Sequence, residues 1–373
     1  MIYDVIIVGG GLAGLTSALH LTTFGVRVLL LEKAAYPHHK VCGEYISNEV
    51  LPYLMELGAD PLLLNPSRIT RFQMSDVKGK TLESRLPLGG FGLSRYSFDQ
   101  YLVQLALSRG CQLLQENVLD VSAEAWGSVV RTDQNEYRAK LVFGAYGKRS
   151  QLDRQLDRPF FRRKSPWMAI KSHYSGSFAD DLVALHNFPG GYCGVSKVED
   201  NRINICYLVN YESFKAYRNI DEHRKAVLYQ NPFLKEILEK SESLFQAPLS
   251  ISQVSFKKKE KAARKMLMVG DSAGLIHPLC GNGMSMAIHA AMIASSLAID
   301  YLNRRIETRA ELQRRYEKAW SSNFNFRIGL GHMLSSVLHR EKAAAMLMSG
   351  LMSAPPLLKK IIQGTHGKPF NLA

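Results

Sequence analysis

Three glycines and one acid near the start of the chain have the types and spacing to hold a nucleotide. Gly9, Gly11 and Gly14 form a G-x-G-x-x-G turn between an apolar, β-rich run at 3–8 and a segment of helical period marked by Leu15, Ala18 and Leu19. Gly25 closes that helix, a second apolar run fills 26–31, and Glu32 and Lys33 follow. Strand, glycine turn, helix, strand and acid in this order read as a βαβ unit that binds an adenine dinucleotide. Gly9 permits the tight turn, Gly11 lets the backbone approach a pyrophosphate, and Gly14 lets helix and strand pack closely. Leu12 and Ala13 open a helix whose free N–H groups and partial positive charge suit the phosphates. Glu32 is placed to accept hydrogen bonds from ribose hydroxyls, with Lys33 beside it.

A second set stands late in the chain. Residues 266–269 are an apolar strand capped by Gly270-Asp271. The chain then turns through Pro278 and Gly281-Asn282-Gly283 and enters a small-residue helix at Met284. Between the two sets, Arg95 precedes a helix expected over 97–110, with Ser97 as its N-cap and Gly110 as its stop. No Ser-His-Asp constellation and no metal cluster is visible, so the redox chemistry expected here is a cofactor's.

The elements that must position these residues follow an α/β order. Residues 68–87 alternate around Lys78-Gly79, a hairpin pattern, and a helix is expected from near Ser47. Residues 111–147 read as several strands, the last at 140–143, and 155–255 are mostly β with a helical insert near 211–240. A return to strand and helix comes at 266–302, and 309–373 reads as helical and basic. The expected fold is a Rossmann-like nucleotide domain built from 1–67, 91–155 and 256–308. A mainly antiparallel sheet domain from 68–90 and 156–255 is inserted in it, and 309–373 forms a C-terminal helical region.

The pairing of GGGLAG with the later VGDSAGLIHPLCGNGMSMA resembles the flavoprotein superfamily of p-hydroxybenzoate hydroxylase, flavin-dependent halogenases and geranylgeranyl reductases. The resemblance implies FAD as the dinucleotide. It implies that Asp271 bonds the ribityl chain, with Gly270 in the same turn. It also places Pro278, Gly281, Asn282, Gly283 and Met284 beside the flavin pyrimidine edge, where a helix N-terminus stabilises the negative charge of reduced flavin. LSRYSFDQYL at 93–102 matches another superfamily position and puts Arg95 near the ribityl or phosphate groups. Within the superfamily, KVCGEYIS at 40–47 and the segment at 188–209 resemble the geranylgeranyl reductase family. That implies a substrate pocket over the flavin bordered by Cys42 and Tyr192. Two departures stand out: Tyr146 occupies the position of the superfamily's Asp-Gly aspartate, and Cys193-Gly194-Val195 replaces a tryptophan region.

The function implied is an FAD-dependent oxidoreductase acting on a hydrophobic small molecule, an isoprenoid or polyketide lipid, by double-bond reduction. Aromatic hydroxylation is the alternative. Halogenation is a weaker one, because PWMAIKSH at 166–173 keeps a single Trp. A non-catalytic FAD or nucleic-acid-binding protein is the last. No second G-x-G-x-x-G unit is present, so electrons are expected from NAD(P)H docking at the flavin or from a separate reductase.

Composition narrows the partners. Lys and Arg outnumber Asp and Glu by 47 to 33, a net charge of +14, but the excess is dispersed among RRK at 162–164, KKKEK at 257–261 and the 304–315 segment. Without a long basic arm or interleaved aromatics, nucleic acid is not an expected partner. A basic solvated surface is one reading, and attraction to anionic ligands or a membrane face is the other. Five cysteines without a CxxC argue against a disulfide framework or a zinc site and fit a reducing cytoplasm. The chain opens on a core strand, so no signal peptide is expected. Residues 272–299 read as a loop and a buried helix rather than a membrane span. The Met- and Leu-rich stretch at 329–364 reads as packing helices or as an interfacial contact for a lipid-like substrate, a peripheral membrane contact.

Overall fold

The computed structural model describes residues 2–338 and 341–372. Its first sheet is built around Ile2–Val8, whose Val5, Ile6 and Ile7 are fully buried. The strand order runs Ala262–Ala263, Met266–Met268, Glu136–Gly144, Ile2–Val8, Val28–Leu31, Gln112–Leu114. The pairings from Met266–Met268 to Gln112–Leu114 are all parallel, with Val8 opposite both Leu31 and Gly144. Parallel strands buried on both faces need crossover helices. The Leu12–Thr23 helix supplies the first and packs against Arg95–Ser108 and Gly283–Leu302.

Gly283–Leu302 is long and apolar enough to cross a membrane by composition. It is instead a core helix, with Ile288, Ala291 and Ala294 fully buried in the same cluster as the central strands.

The second sheet has nine strands. Its order is Glu242–Ser243, Trp167–Ser175, Ile203–Asn210, Gly191–Lys197, Leu182–Phe188, Ser67–Ser75, Thr81–Gly92, Tyr45–Ser47, with Leu249–Ile251 also paired to Trp167–Ser175. Among the described residues, only the pairing of Leu182–Phe188 with Ser67–Ser75 is parallel in this sheet. It joins the early hairpin to the later strands in one surface. The helical insert is present as Tyr211–Lys215, Ile220–Ala226 and Pro232–Glu239.

Four local readings differ. The helix at Arg95 begins two residues earlier than expected because Ser94, not Ser97, is its cap: the Ser97 amide donates to Ser94 Oγ at 3.1 Å. The strand expected at 140–143 spans Glu136–Gly144, since an antiparallel partner at Ser128–Thr132 extends its pairing. Ser47 ends a strand and caps a short 3₁₀ turn before the helix Leu51–Glu56. That strand, Tyr45–Ser47, pairs with Thr81–Gly92, so it belongs to the second sheet rather than to the nucleotide-binding one.

The C-terminal region comprises Arg309–Leu338, Glu341–Ser353 and Pro355–Thr365. Tyr316, Trp320 and Phe324 on the first of these lie in the core of the first sheet, and Tyr316 Oη donates to the Met268 carbonyl at 2.6 Å.

Candidate functional site

The glycine turn has the geometry its spacing requires. Gly9 adopts φ +104°, and a Cβ there would sit 2.6 Å from the Ala145 carbonyl oxygen. A Cβ on Gly14 would strike the Gly9 carbonyl oxygen at 2.0 Å. Gly11 differs: a Cβ there would meet only Arg95 Nη2 at 3.5 Å and Lys40 Nζ at 3.9 Å. Glu32, buried at the tip of its strand, accepts from the Gly10 amide at 2.7 Å and the Ala34 amide at 3.1 Å. Lys33 is exposed. Tyr36 Oη donates to the Gly10 carbonyl at 2.5 Å.

Gly11 therefore faces two cations. Arg95 is held by a bidentate pair to Asp99, and Lys40 Nζ lies 3.5 Å from the same carboxylate. Burial, followed by the neighbouring Arg95, pulls the Lys40 ammonium below its usual pKa. Next to them Glu44 sits fully buried in the left-handed region at φ +54°. Its carboxylate accepts from the Arg95 amide at 2.8 Å, Lys171 Nζ at 2.5 Å and His173 Nε2 at 2.6 Å. Burial alone raises a carboxyl pKa, but Lys171 and His173 outweigh it and hold Glu44 below the usual range. Lys171 and His173 face the same way on the second sheet, opposite Cys206 and Asn204. Asn204 Nδ2 donates to the Cys42 and Gly43 carbonyls at 3.3 and 2.8 Å. Cys42 is half-buried here, and burial pushes the thiol of the neighbouring Cys206 up to about 12.

The late turns converge on the same region. Gly270 adopts φ +63°, and a Cβ there would meet Ala13 Cβ at 2.7 Å, so the Gly-Asp turn lies against the start of the first helix. The Asp271 carboxylate forms no hydrogen bond to another described residue. Asp271 lines a small cleft with Gly274, Gly283, Ala287 and Trp320. Pro278 opens a 3₁₀ turn that ends at Gly281 with φ +63°. Asn282, at the entry to the next helix, spends its Nδ2 on the Thr365 carbonyl at 3.0 Å.

Two helix starts in this region are left open. Gly11 and Asn282 give their helices no side-chain cap, whereas Ser94, Ser150, Asn210, Asn219 and Asn231 each cap theirs. Uncapped N–H groups at a buried helix start need another acceptor. A dianionic pyrophosphate at the first helix and a polarised ring edge at the second supply it, so the residues present fit a dinucleotide cofactor.

Beyond the 278–281 turn lies an apolar cavity enclosing about 790 Å³, part of it open to solvent. One wall is the second sheet, through Phe72, Met74, Val183 and Leu185; another is the C-terminal helices, through Met348, Leu351, Leu358 and Ile362. Leu279, Cys280 and Gly281 close the end that meets the turn. Cys42 and Tyr192 are not among its lining residues. Tyr192 is buried beside it, packed with Leu185, Leu275 and Leu279 and tilted on His277 at 5.7 Å between ring centroids. Burial holds its phenol well above the ordinary pKa.

The FAD binding domain family model matches residues 2–309. This chain belongs to that family. FAD is its cofactor, and the protein is an FAD-dependent oxidoreductase. It is 25% identical over 338 residues to the digeranylgeranylglycerophospholipid reductase of Thermoplasma volcanium, covering 86% of this chain and 84% of that one. It is 23% identical over 370 residues to conditioned medium factor receptor 1 of Dictyostelium discoideum, covering 91% and 71%. In fold it is similar to a flavin-dependent brominase, with a TM-score of 0.81, 15% identity and coverage of 100% and 95%. It is likewise similar to a geranylgeranyl bacteriochlorophyll reductase-like protein of Thermoplasma acidophilum, with a TM-score of 0.75, 21% identity and coverage of 100% and 94%.

In this flavoprotein the departure at Tyr146 has a structural consequence. Its hydroxyl donates to Asp153 at 3.0 Å and accepts from Arg158 at 3.3 Å, inside a fully buried Asp153–Arg158 ion pair. Lys148 and Arg149, on the turn that follows Tyr146, are directed inward. Lys148 Nζ donates to the Val41 carbonyl at 3.3 Å, and Arg149 donates to the Phe161 carbonyl at 3.0 Å while covering its ring. The 257–261 stretch is also only partly solvated: Lys259 and Lys261 are buried, while Lys257, Lys258 and Glu260 are exposed. Asp99, Lys171 and His173 carried no sequence signal of their own, and Lys40 was marked only as the first residue of the KVCGE block. The KVCGE block was the one pointer to Glu44.

Proposed function

We propose that this enzyme reduces a carbon–carbon double bond in a long hydrophobic substrate of isoprenoid type, held with its apolar chain in the cavity between the second sheet and the C-terminal helices. The observation that carries this reading is the position of that cavity. It is lined mainly by aliphatic, Met and aromatic side chains, and it ends at the Leu279–Gly281 turn beside the proposed flavin ring. Each methylene moved from water into such a lining gains about 0.8 kcal/mol, so chain length sets affinity. The named reductase relatives support the substrate class.

In this reading the Gly9–Gly14 turn and the start of the first helix bind the pyrophosphate, Glu32 the adenosine ribose, Arg95 and Lys40 the phosphate charge, and Asp271 the ribityl hydroxyls. The open helix start at Gly283 and Met284 faces the ring edge. Bound FAD supplies the hydride. The Glu44–Lys171–His173 cluster fixes the 40–44 segment against the second sheet and so holds Cys42 at the edge of the reaction space. The apolar walls exclude water from the substrate. NAD(P)H docking or a separate reductase supplies the electrons.

The test is anaerobic. Enzyme reduced with dithionite and mixed with a polyprenyl lipid should reoxidise its flavin, and a phenolic lipid should leave it reduced. Reoxidation by neither lipid, in an enzyme shown to hold FAD, would overturn the reading.

A further inference from the structure

The KKKEK stretch sends two lysines into the interior, and both end on backbone carbonyls of the Gly-Asp turn. Lys259, 2% exposed, donates from Nζ to the Asp271 carbonyl at 2.8 Å and to the Lys148 carbonyl at 2.7 Å. Lys261, 9% exposed, donates to the Ala273 carbonyl at 2.8 Å and to the Lys259 carbonyl at 2.7 Å. Arg158, 2% exposed, donates from Nη2 to the Ser272 carbonyl at 2.9 Å. Three consecutive carbonyls, at 271, 272 and 273, are thus each gripped by a different buried cation. Aromatic faces cover the cations: Phe160 lies 4.4 Å from Lys259 Nζ, and Trp320 lies 3.7 Å from Lys261 Nζ. The turn is tied to the 147–148 segment a second time, because the Gly147 amide donates to Ser272 Oγ at 2.9 Å.

Such an arrangement is costly. A buried cation must be repaid in hydrogen bonds, and three in one place are rarely assembled for packing alone. What they hold is a single 3₁₀ turn, Gly270–Ser272, that opens on a left-handed glycine and whose own backbone bonds all return to the Gly270 carbonyl. That turn carries Asp271, the one acidic residue lining the cleft, whose carboxylate forms no hydrogen bond to another described residue. A carbonyl gripped by a cation cannot tilt, so the peptide plane after the Asp271 Cα is fixed by Lys259. The plane before it is held by the Ala273 and Gly274 amides, which donate to the Gly270 carbonyl at 2.9 and 3.3 Å, so the Asp271 side chain leaves the backbone in one direction.

We infer that Lys259, Lys261 and Arg158 are positioning residues for the cofactor, a clamp that fixes the Gly270–Ala273 turn so that Asp271 meets the ribityl chain of FAD without paying to order the turn on binding. The inference rests on the ribityl role proposed for Asp271 and goes beyond it by assigning its cause to residues outside the cofactor-contacting motifs. Charged hydrogen bonds are stronger and more directional than neutral ones, which is what preorganisation requires.

The experiment measures FAD affinity of deflavinated protein by fluorescence titration, and melting temperature with and without FAD. It compares the wild type with Lys259→Met, Lys261→Met and Lys259→Arg. Methionine keeps most of the length and none of the donors; arginine keeps donors and charge. The clamp predicts that both methionine variants raise the FAD Kd at least tenfold and shrink the FAD-induced rise in melting temperature. The arginine variant should stay within threefold of wild type. A merely structural role would lower the melting temperature equally with and without FAD and leave Kd unchanged, and that result in either methionine variant overturns the inference. If Lys259→Met does not fold, Lys261→Met and Lys259→Arg decide. Wild-type protein that fails to bind FAD would contradict the cofactor assignment itself, a separate outcome.

Discussion

Arg95 grips Asp99 through two parallel hydrogen bonds of 2.7 Å, Nε to Oδ1 and Nη2 to Oδ2, one turn along the same helix. The pair locks the guanidinium beside Gly11, and Lys40 approaches the same carboxylate at 3.5 Å. Two cations share one anion, so positive charge is left over where the glycine turn brings a pyrophosphate. Arg95→Met should therefore weaken FAD binding. A charged hydrogen bond contributes about 1.5–3 kcal/mol, which corresponds to a roughly tenfold or greater rise in Kd. Isothermal titration of deflavinated protein with FAD reads this directly, and an unchanged Kd would remove Arg95 from the site.

Gly11 and Gly14 should separate by phenotype. At Gly11 the protein leaves room for a methyl group, so Gly11→Ala should fold with the melting temperature of the deflavinated wild type and lose FAD affinity. At Gly14 the added carbon meets the Gly9 carbonyl at 2.0 Å, so Gly14→Ala should destabilise the protein itself. Overpacking of this kind costs typically about 1–3 kcal/mol. Thermal melts of both variants without FAD check the contrast; equal losses of stability would contradict it.

How much of this was legible in the residues differs from place to place. The βαβ unit was, because its glycines are demanded by backbone geometry and its strands are continuous apolar runs. The Gly270-Asp271 turn and the helix start at Gly283 were legible for the same reason. The parallel join of Leu182–Phe188 to Ser67–Ser75 was not, since pairing across such a separation leaves no local pattern. The fate of Lys259 and Lys261 was hidden as well: a lysine in a charged run looks solvated until the fold brings carbonyls to its Nζ. Tyr192 was named for its glycine neighbours, yet its side chain turns into a packed cluster rather than onto the cavity wall. The apolar cavity itself joins Tyr45, Phe72, Leu185, Cys280 and Ile362, which are distant in sequence.

Acid should destabilise the fold before the carboxylates titrate. His20, His186, His223 and His289 are buried, and burial lowers each to about 4. Unfolded chain binds protons at these sites from about pH 6.5 downward, whereas the folded protein resists until about pH 4. Stability is thus fully present above about pH 6.5 and is lost as pH falls toward 4, with a slope of about 1.4 kcal/mol per pH unit for each proton taken up on unfolding. His223 is the sharpest case. Neither ring nitrogen has a hydrogen-bond partner, and Phe188, Tyr207, Phe214 and Tyr217 surround it. His223→Phe should flatten the dependence of melting temperature on pH between 6.5 and 4. A variant with the wild-type slope would show that this histidine does not contribute.

Filling the cavity should discriminate by substrate length. Met348, 1% exposed, projects from Glu341–Ser353 into the cavity opposite the second sheet. Met348→Trp should raise KM at least tenfold for a long polyprenyl lipid and much less for a short isoprenoid, with FAD content unchanged. Steady-state kinetics on a chain-length series checks it. A uniform change across the series would place the apolar chain elsewhere.

The central claim is that flavin electrons saturate a carbon–carbon bond in a hydrophobic substrate lying in that cavity. Mass spectrometry of the product tests it most directly, with the reduced enzyme and a polyprenyl lipid incubated once without oxygen and once under isotopically labelled oxygen. The account predicts a product heavier by one pair of hydrogens in both vessels and free of label. A product formed only with oxygen and carrying the label would contradict it and make the enzyme a hydroxylase.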